Sequence, residues 1–85
     1  MTDIDAMPWT PDGLALEFSN RHPGTVHLVR LFAYAHLSVK LQGTSKACCA
    51  LAVEMINTLP DGPELSAGLR KLLEVKDCFV RAALD

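Results

Sequence analysis

SKACCALAVEMINTLPDGPELSAGLRKLLEVKDCFVRAAL, residues 45–84, is the stretch that decides the fold. Over residues 45–58 the apolar positions recur at helical spacing. Cys48, Ala52, Met55 and Leu59, flanked by Cys49, Leu51, Val53 and Ile56, cover an arc wider than one partner helix can hide. LPDGPE then stops one helix and starts another. Asp61 is placed to cap the second helix, Pro63 suits its first turn, and Glu64 completes a capping box with Asp61. Two helices joined by so short a turn form an antiparallel αα-hairpin. The fold class expected is all-α: an antiparallel helical hairpin preceded by a short helix.

The second hairpin arm raises a problem of charge. At about 100° per residue, Leu65, Leu69, Leu72, Phe79, Val80 and Ala83 share one face, and Lys76 falls in the middle of it. Arg70, Asp77 and Arg81 lie on the opposite arc, where pairing at helical spacing explains them. Counting from a turn centred near Asp61-Gly62, the level facing Lys76 is that of Lys46 and Ala47. A buried ammonium without a counter-charge costs several kcal/mol, so something negative is expected beside it. Two answers are open. A carboxylate such as Glu54 of a neighbouring subunit can pair with Lys76 and fix the register of an oligomer. Alternatively a ligand phosphate fills the role, with Lys46 contributing and Tyr34 or His36 stacking on a base or donating a hydrogen bond. Lys46 opens the first arm on this reading, where free backbone N–H groups and the positive helix end favour an anion.

Upstream, the reading is less regular. Thr25 is placed to cap a helix through VHLVRLFAYA, after a break at His22-Pro23-Gly24. Gly43, Thr44 and Ser45 weaken a helix through HLSVKLQGTS, so Ser38 and Ser45 are both candidate caps and the firm helix starts at Ser45. Residues 1–24 read as an N-terminal arm carrying a short amphipathic piece, LALEF, with Trp9 as its anchor to a hydrophobic groove. Residues 25–85 read as the helical hairpin domain.

Composition narrows the function classes. The chain has 85 residues, 49% of them hydrophobic, and a net charge of −2. So small a domain with surplus apolar residues is expected to bury them against copies of itself, which makes a homo-oligomer the expected state. From Ser19 to Val53 there are Arg21, Arg30, Lys40, Lys46 and three histidines but no carboxylate, a block compatible with an anionic ligand. It holds no dense basic run of the kind duplex nucleic acid attracts. Three cysteines, Cys48, Cys49 and Cys78, make no disulfide framework and no metal-ligand spacing. A zinc site joining His22, His27 or His36 to Cys48 and Cys78 is conceivable but has no spacing to support it, so no metal and no cofactor are expected. A reducing cytoplasm fits these cysteines, the acidic start MTDIDAMPW has no apolar signal-like run, and no segment reaches membrane-spanning length. Neither a nucleophile motif, a metalloprotease motif, a P-loop nor a paired-carboxylate cleft is present, so no enzyme is expected.

The second arm and its turn resemble the hairpin module of phage anti-CBASS and anti-Thoeris sponge proteins. The likeness is carried by Pro60, Glu64, Leu69, Lys71, Leu72, Glu74 and the small-residue end Ala82-Ala83. FAYAHLSVKLQGTSKACCALA, residues 32–52, is similar to the family's aromatic- and His-rich loop and first hairpin helix. The chain departs from the family at Val75-Lys76-Asp77-Cys78-Phe79, where the best-known members are richer in aromatics. The resemblance implies a non-enzymatic trap for the cyclic nucleotides of bacterial immunity, built as a helical homo-oligomer, commonly a hexamer, with pockets between protomers. It also implies that an aromatic near the start of the domain and a lysine early in the first hairpin helix meet the ligand phosphates. Tyr34 and Lys46 match those two roles. The candidate ligand-binding set is therefore Tyr34, His36, Lys46 and Lys76, with no catalytic residues. The competing expectation is a small helical oligomeric structural or regulatory protein with no nucleotide ligand.

Overall fold

The computed structural model describes residues 9–84; most of the acidic start read as an arm, residues 1–8, lies outside them, as does Asp85. The described chain is all-helical, with α1 over Pro11–Glu17, α2 over Pro23–Arg30, α3 over Val39–Thr58 and α4 over Pro63–Leu84. Leu14, Phe18, Val29, Phe32, Cys49, Ala52, Ile56, Leu65 and Leu69 form one buried core to which every helix contributes.

Each helix begins on a locally legible signal, though not always the expected one. Thr10 caps α1 by accepting from the Gly13 N–H at 2.9 Å, and Pro11 occupies a position whose N–H would be an orphan. At α2 the cap is His22, whose Nδ1 accepts from the Gly24 N–H at 2.9 Å; Pro23 starts the helix instead of breaking the chain. Thr25 is therefore not the cap. It is buried inside the first turn and turns its hydroxyl outward to α4's leading loop. The same helix ends at Arg30, earlier than VHLVRLFAYA suggests, because the N–H groups of Tyr34 and Ala35 donate to the Trp9 carbonyl at 3.1 and 3.0 Å. This tie also fixes Trp9, which packs against the core as the expected anchor.

α3 starts at Val39, not Ser45, and runs straight through Gly43. Ser38 holds the N-cap position without a side-chain bond, while the Gln42 amide donates to the Leu37 carbonyl at 2.9 Å and braces the first turn from outside. Ser45 is fully buried in mid-helix, and its Oγ has no hydrogen-bond partner among the described residues. A glycine's propensity cost of about 1 kcal/mol is small beside the burial of Cys48, Cys49, Ala52, Val53 and Ile56 that continuing the helix secures.

α3 and α4 are joined by residues 59–62 and pack against each other. Within this joint Asp61 does not close a capping box with Glu64. Its Oδ1 accepts from Thr25 Oγ1 at 2.7 Å, and its Oδ2 from Arg21 Nε at 3.2 Å and the His22 N–H at 3.1 Å. Arg21 also donates to the Leu59 carbonyl at 2.8 Å and to the Ile56 carbonyl. Asp61, just ahead of α4, thus sits at the N-terminal end of α2, and Lys76, within α4, sits at the C-terminal end of α2. Those two anchors make α2 run alongside α4 in the same direction. The apolar stripe of α4 is buried only near its start: Leu65 and Leu69 are in the core, whereas Phe79, expected on the covered face, is 54% exposed. α2 is too short to reach it.

Candidate functional site

A cavity of about 270 Å³ brings together two of the residues singled out from sequence, Tyr34 and Lys46. Its construction follows from the joints above. The Trp9 carbonyl holds the backbone of Tyr34 and Ala35, so the indole and the phenol line one wall. The opposite wall is a face of α3 on which Lys46, Ala50, Val53 and Asn57 recur at i, i+4, i+7 and i+11. Glu54 and Thr58 line it beside that face. Thr58 Oγ1 donates back to the Glu54 carbonyl at 3.0 Å, as helical threonines do.

The chemistry of these walls is mixed. The Trp9 indole offers flat apolar surface, Tyr34 backs it from inside the core at 3% exposure, one ammonium offers charge to an anion, and Glu54 and Asn57 can meet ring N–H and carbonyl groups. The volume matches a fragment the size of one base with part of its sugar phosphate, since sites for drug-sized ligands run from roughly 300 Å³ upward. Lys46 stands on an exposed face of α3 two turns beyond the helix start. Its neighbouring N–H groups are therefore inside the helix ladder, and the expected help from free N–H groups and the positive helix end is not there.

His36 and Lys76 are elsewhere. His36 is exposed and lines a second, shallow cavity of about 370 Å³ with Pro11, His27, Arg30 and Leu31. Lys76 lines none of these cavities. Its Nζ donates to the Leu31 carbonyl at 2.7 Å and lies 6.0 Å from the centre of the Phe32 ring, the outer limit of a cation–π contact. Among the described residues, the negative partner that the sequence demanded is thus no carboxylate. It is the partial charge on the C-terminal carbonyl of α2, supplied by an eight-residue helix whose dipole points there.

Lys76 also faces α3. Burial pushes the Cys48 thiol up and the Cys49 thiol up to about 12, with the Lys76 charge partly opposing both. Both sulfurs stay protonated at neutral pH and behave as small apolar side chains. Among the described residues no three His, Cys, Asp or Glu side chains are grouped to hold a metal ion, and no helix is long and apolar enough to cross a membrane.

Sequence reasoning placed Trp9 as an anchor and Glu54 as an oligomer contact, and it passed over Asn57. The signal that could have found the wall was the i, i+4, i+7, i+11 series from Lys46. It was masked by starting the helix at Ser45, which put Lys46 at an end and not on a face. Compared with protein families, with curated proteins and with solved structures, the chain matches none.

Proposed function

We propose that this protein is a non-catalytic binding protein that sequesters a small anionic aromatic molecule, a cyclic di- or oligonucleotide of the kind used as an immune second messenger. The observation that supports this most is the cavity shared by Trp9, Tyr34 and Lys46. A base stacks on the Trp9 indole, its edge meets Asn57 or Glu54, and its phosphate takes the Lys46 ammonium. On this reading α3 and α4 form the antiparallel hairpin of a phage anti-defence sponge that acts as a homo-oligomer, a hexamer as the resemblance implies, in the cytoplasm of the host cell. One cavity of this size receives only part of a cyclic dinucleotide, so a second protomer supplies the rest of the site.

A second reading, a helical structural or regulatory oligomer with no nucleotide ligand, draws support from Lys76. Its ammonium is satisfied by its own chain and asks for no phosphate. A thermal-shift screen of the full chain against cyclic di- and trinucleotides and cyclic ADP-ribose isomers separates the two. Ligand at a hundred times its dissociation constant adds about 2.7 kcal/mol of stability to a sponge, and the ligand is recovered intact after denaturation. Lys46→Ala is expected to weaken that binding by about 1.5–3 kcal/mol while leaving the melting temperature without ligand nearly unchanged, because Lys46 is exposed. No shift with any of these nucleotides sinks the sponge and leaves the structural reading.

A further inference from the structure

The outward face of α4 carries, near its start, three residues for which no side-chain hydrogen bond or ion pair is found among the described residues. Glu64, Gly68 and Lys71 follow one another at spacings of four and three, and all three are exposed. This is the a/d spacing by which one helix packs along another. Beside it runs a groove of about 440 Å³ between α3 and α4, lined by Leu51, Met55 and Leu59 on one side and Leu65, Leu69 and Leu72 on the other. Among the described residues, Glu64 and Lys71 are the charged ones that line it.

Gly68 lies between those two charges. A Cβ there would meet nothing within 4 Å, so no contact among the described residues requires a glycine. Glycine in a helix interior costs about 1 kcal/mol relative to alanine, and a close approach from outside explains its presence. Glu64 and Lys71 are seven residues apart, two turns and about 10.5 Å along the axis. One acid and one base flanking a glycine form a self-complementary set: a two-fold axis near Gly68 brings each acid onto the other copy's base.

We propose that a second copy of this chain occupies the groove, the two α4 helices crossing antiparallel at Gly68 with Glu64 of each paired to Lys71 of the other. This surface is independent of the ligand cavity. On α3, Leu51 and Met55 lie on the side opposite Lys46, Ala50, Val53 and Asn57, so dimer and ligand do not compete.

Sedimentation equilibrium of the full chain tests the pairing through Glu64→Lys and Lys71→Glu. Both positions are exposed, and a far-UV melt confirms that each variant folds. The parent is expected to dimerise at tens of micromolar. Each reversal alone sets like charges together twice, and is expected to weaken its own dimer about tenfold, or about 1.4 kcal/mol. An equimolar mixture of the two variants restores parent affinity, because the heterodimer has an acid opposite a base at both contacts. A parent that stays monomeric, a dimer indifferent to both reversals, or a mixture no tighter than its components overturns the proposal. A chain that is monomeric until residues 1–8 are deleted, and dimeric afterwards, assigns the groove to the chain's own N-terminal segment and also overturns it.

Discussion

The two ends of α2 are both held by charges that suit the helix dipole, yet they are held differently. At the N-terminal end one carboxylate, Asp61, accepts from the Thr25 hydroxyl, the Arg21 guanidinium and the His22 N–H. Arg21 carries the same network to the carbonyls that end α3. At the C-terminal end a single ammonium, Lys76, donates to a single carbonyl. The first joint connects α2, the end of α3 and the loop into α4, and most of its members have more than one partner. The second connects two elements through a flexible four-carbon arm. A network can set the geometry of a turn, because moving any one group strains several bonds; a single contact from a long side chain mainly satisfies the cation that makes it.

Arg21→Ala is the most direct way to break this asymmetry. The variant leaves Asp61 without its ion pair and the Ile56 and Leu59 carbonyls without their donor, and it is expected to lose about 2–3 kcal/mol in urea denaturation. A loss below about 0.5 kcal/mol, the range of ordinary surface substitutions, would show that the network holds nothing.

Acid sharpens the same joint. The Thr25 hydroxyl, followed by Arg21 and the His22 N–H, holds the Asp61 carboxyl down to about 2, against a partly opposing cost of burial. A carboxylate whose folded pKa is depressed stabilises the fold above its unfolded value of about 3.9, and that contribution is lost as pH falls toward 2. The parent's melting temperature should therefore drop more steeply between pH 4 and pH 2 than that of Asp61→Asn. Parallel curves would mean that the carboxylate is no better held in the fold than in the unfolded chain.

The smallest effect belongs to the other end. Leu31 is 48% exposed, so water replaces the donor that Lys76→Met removes, and the methionine keeps the apolar contact with Phe32. Stability is expected within about 1 kcal/mol of the parent, and nucleotide binding at the Trp9–Tyr34–Lys46 cavity is expected to be unchanged. A loss larger than that for Arg21→Ala would invert the comparison, and weakened nucleotide binding would return Lys76 to the ligand site.

What could be read locally was read well where periodicity was long. Residues 65–84 announce a helix through their apolar spacing alone, and Pro60, Gly62 and Pro63 mark the stop and restart. Trp9 was legible as an anchor because an indole in a polar, proline-rich stretch has little else to do. Helix ends were less legible. Thr25, His22 and Ser45 are all competent caps or turn formers by local rules, and which one serves depends on groups far away in sequence. Lys46 illustrates the consequence, since a start misplaced by two turns changed a wall residue into an end residue.

By itself, then, the sequence determined an all-helical chain, the turn that separates its two long helices, and the demand for a negative partner at Lys76. Those follow from spacing, backbone chemistry and the cost of an unpaired charge, none of which needs a third dimension. Only the tertiary structure decided what answers that demand, and where Asp61 points. A carboxylate and an ammonium reach any partner within a few ångströms, and Arg21 and Leu31, 40 and 45 residues away along the chain, come that close only when α2 lies along α4.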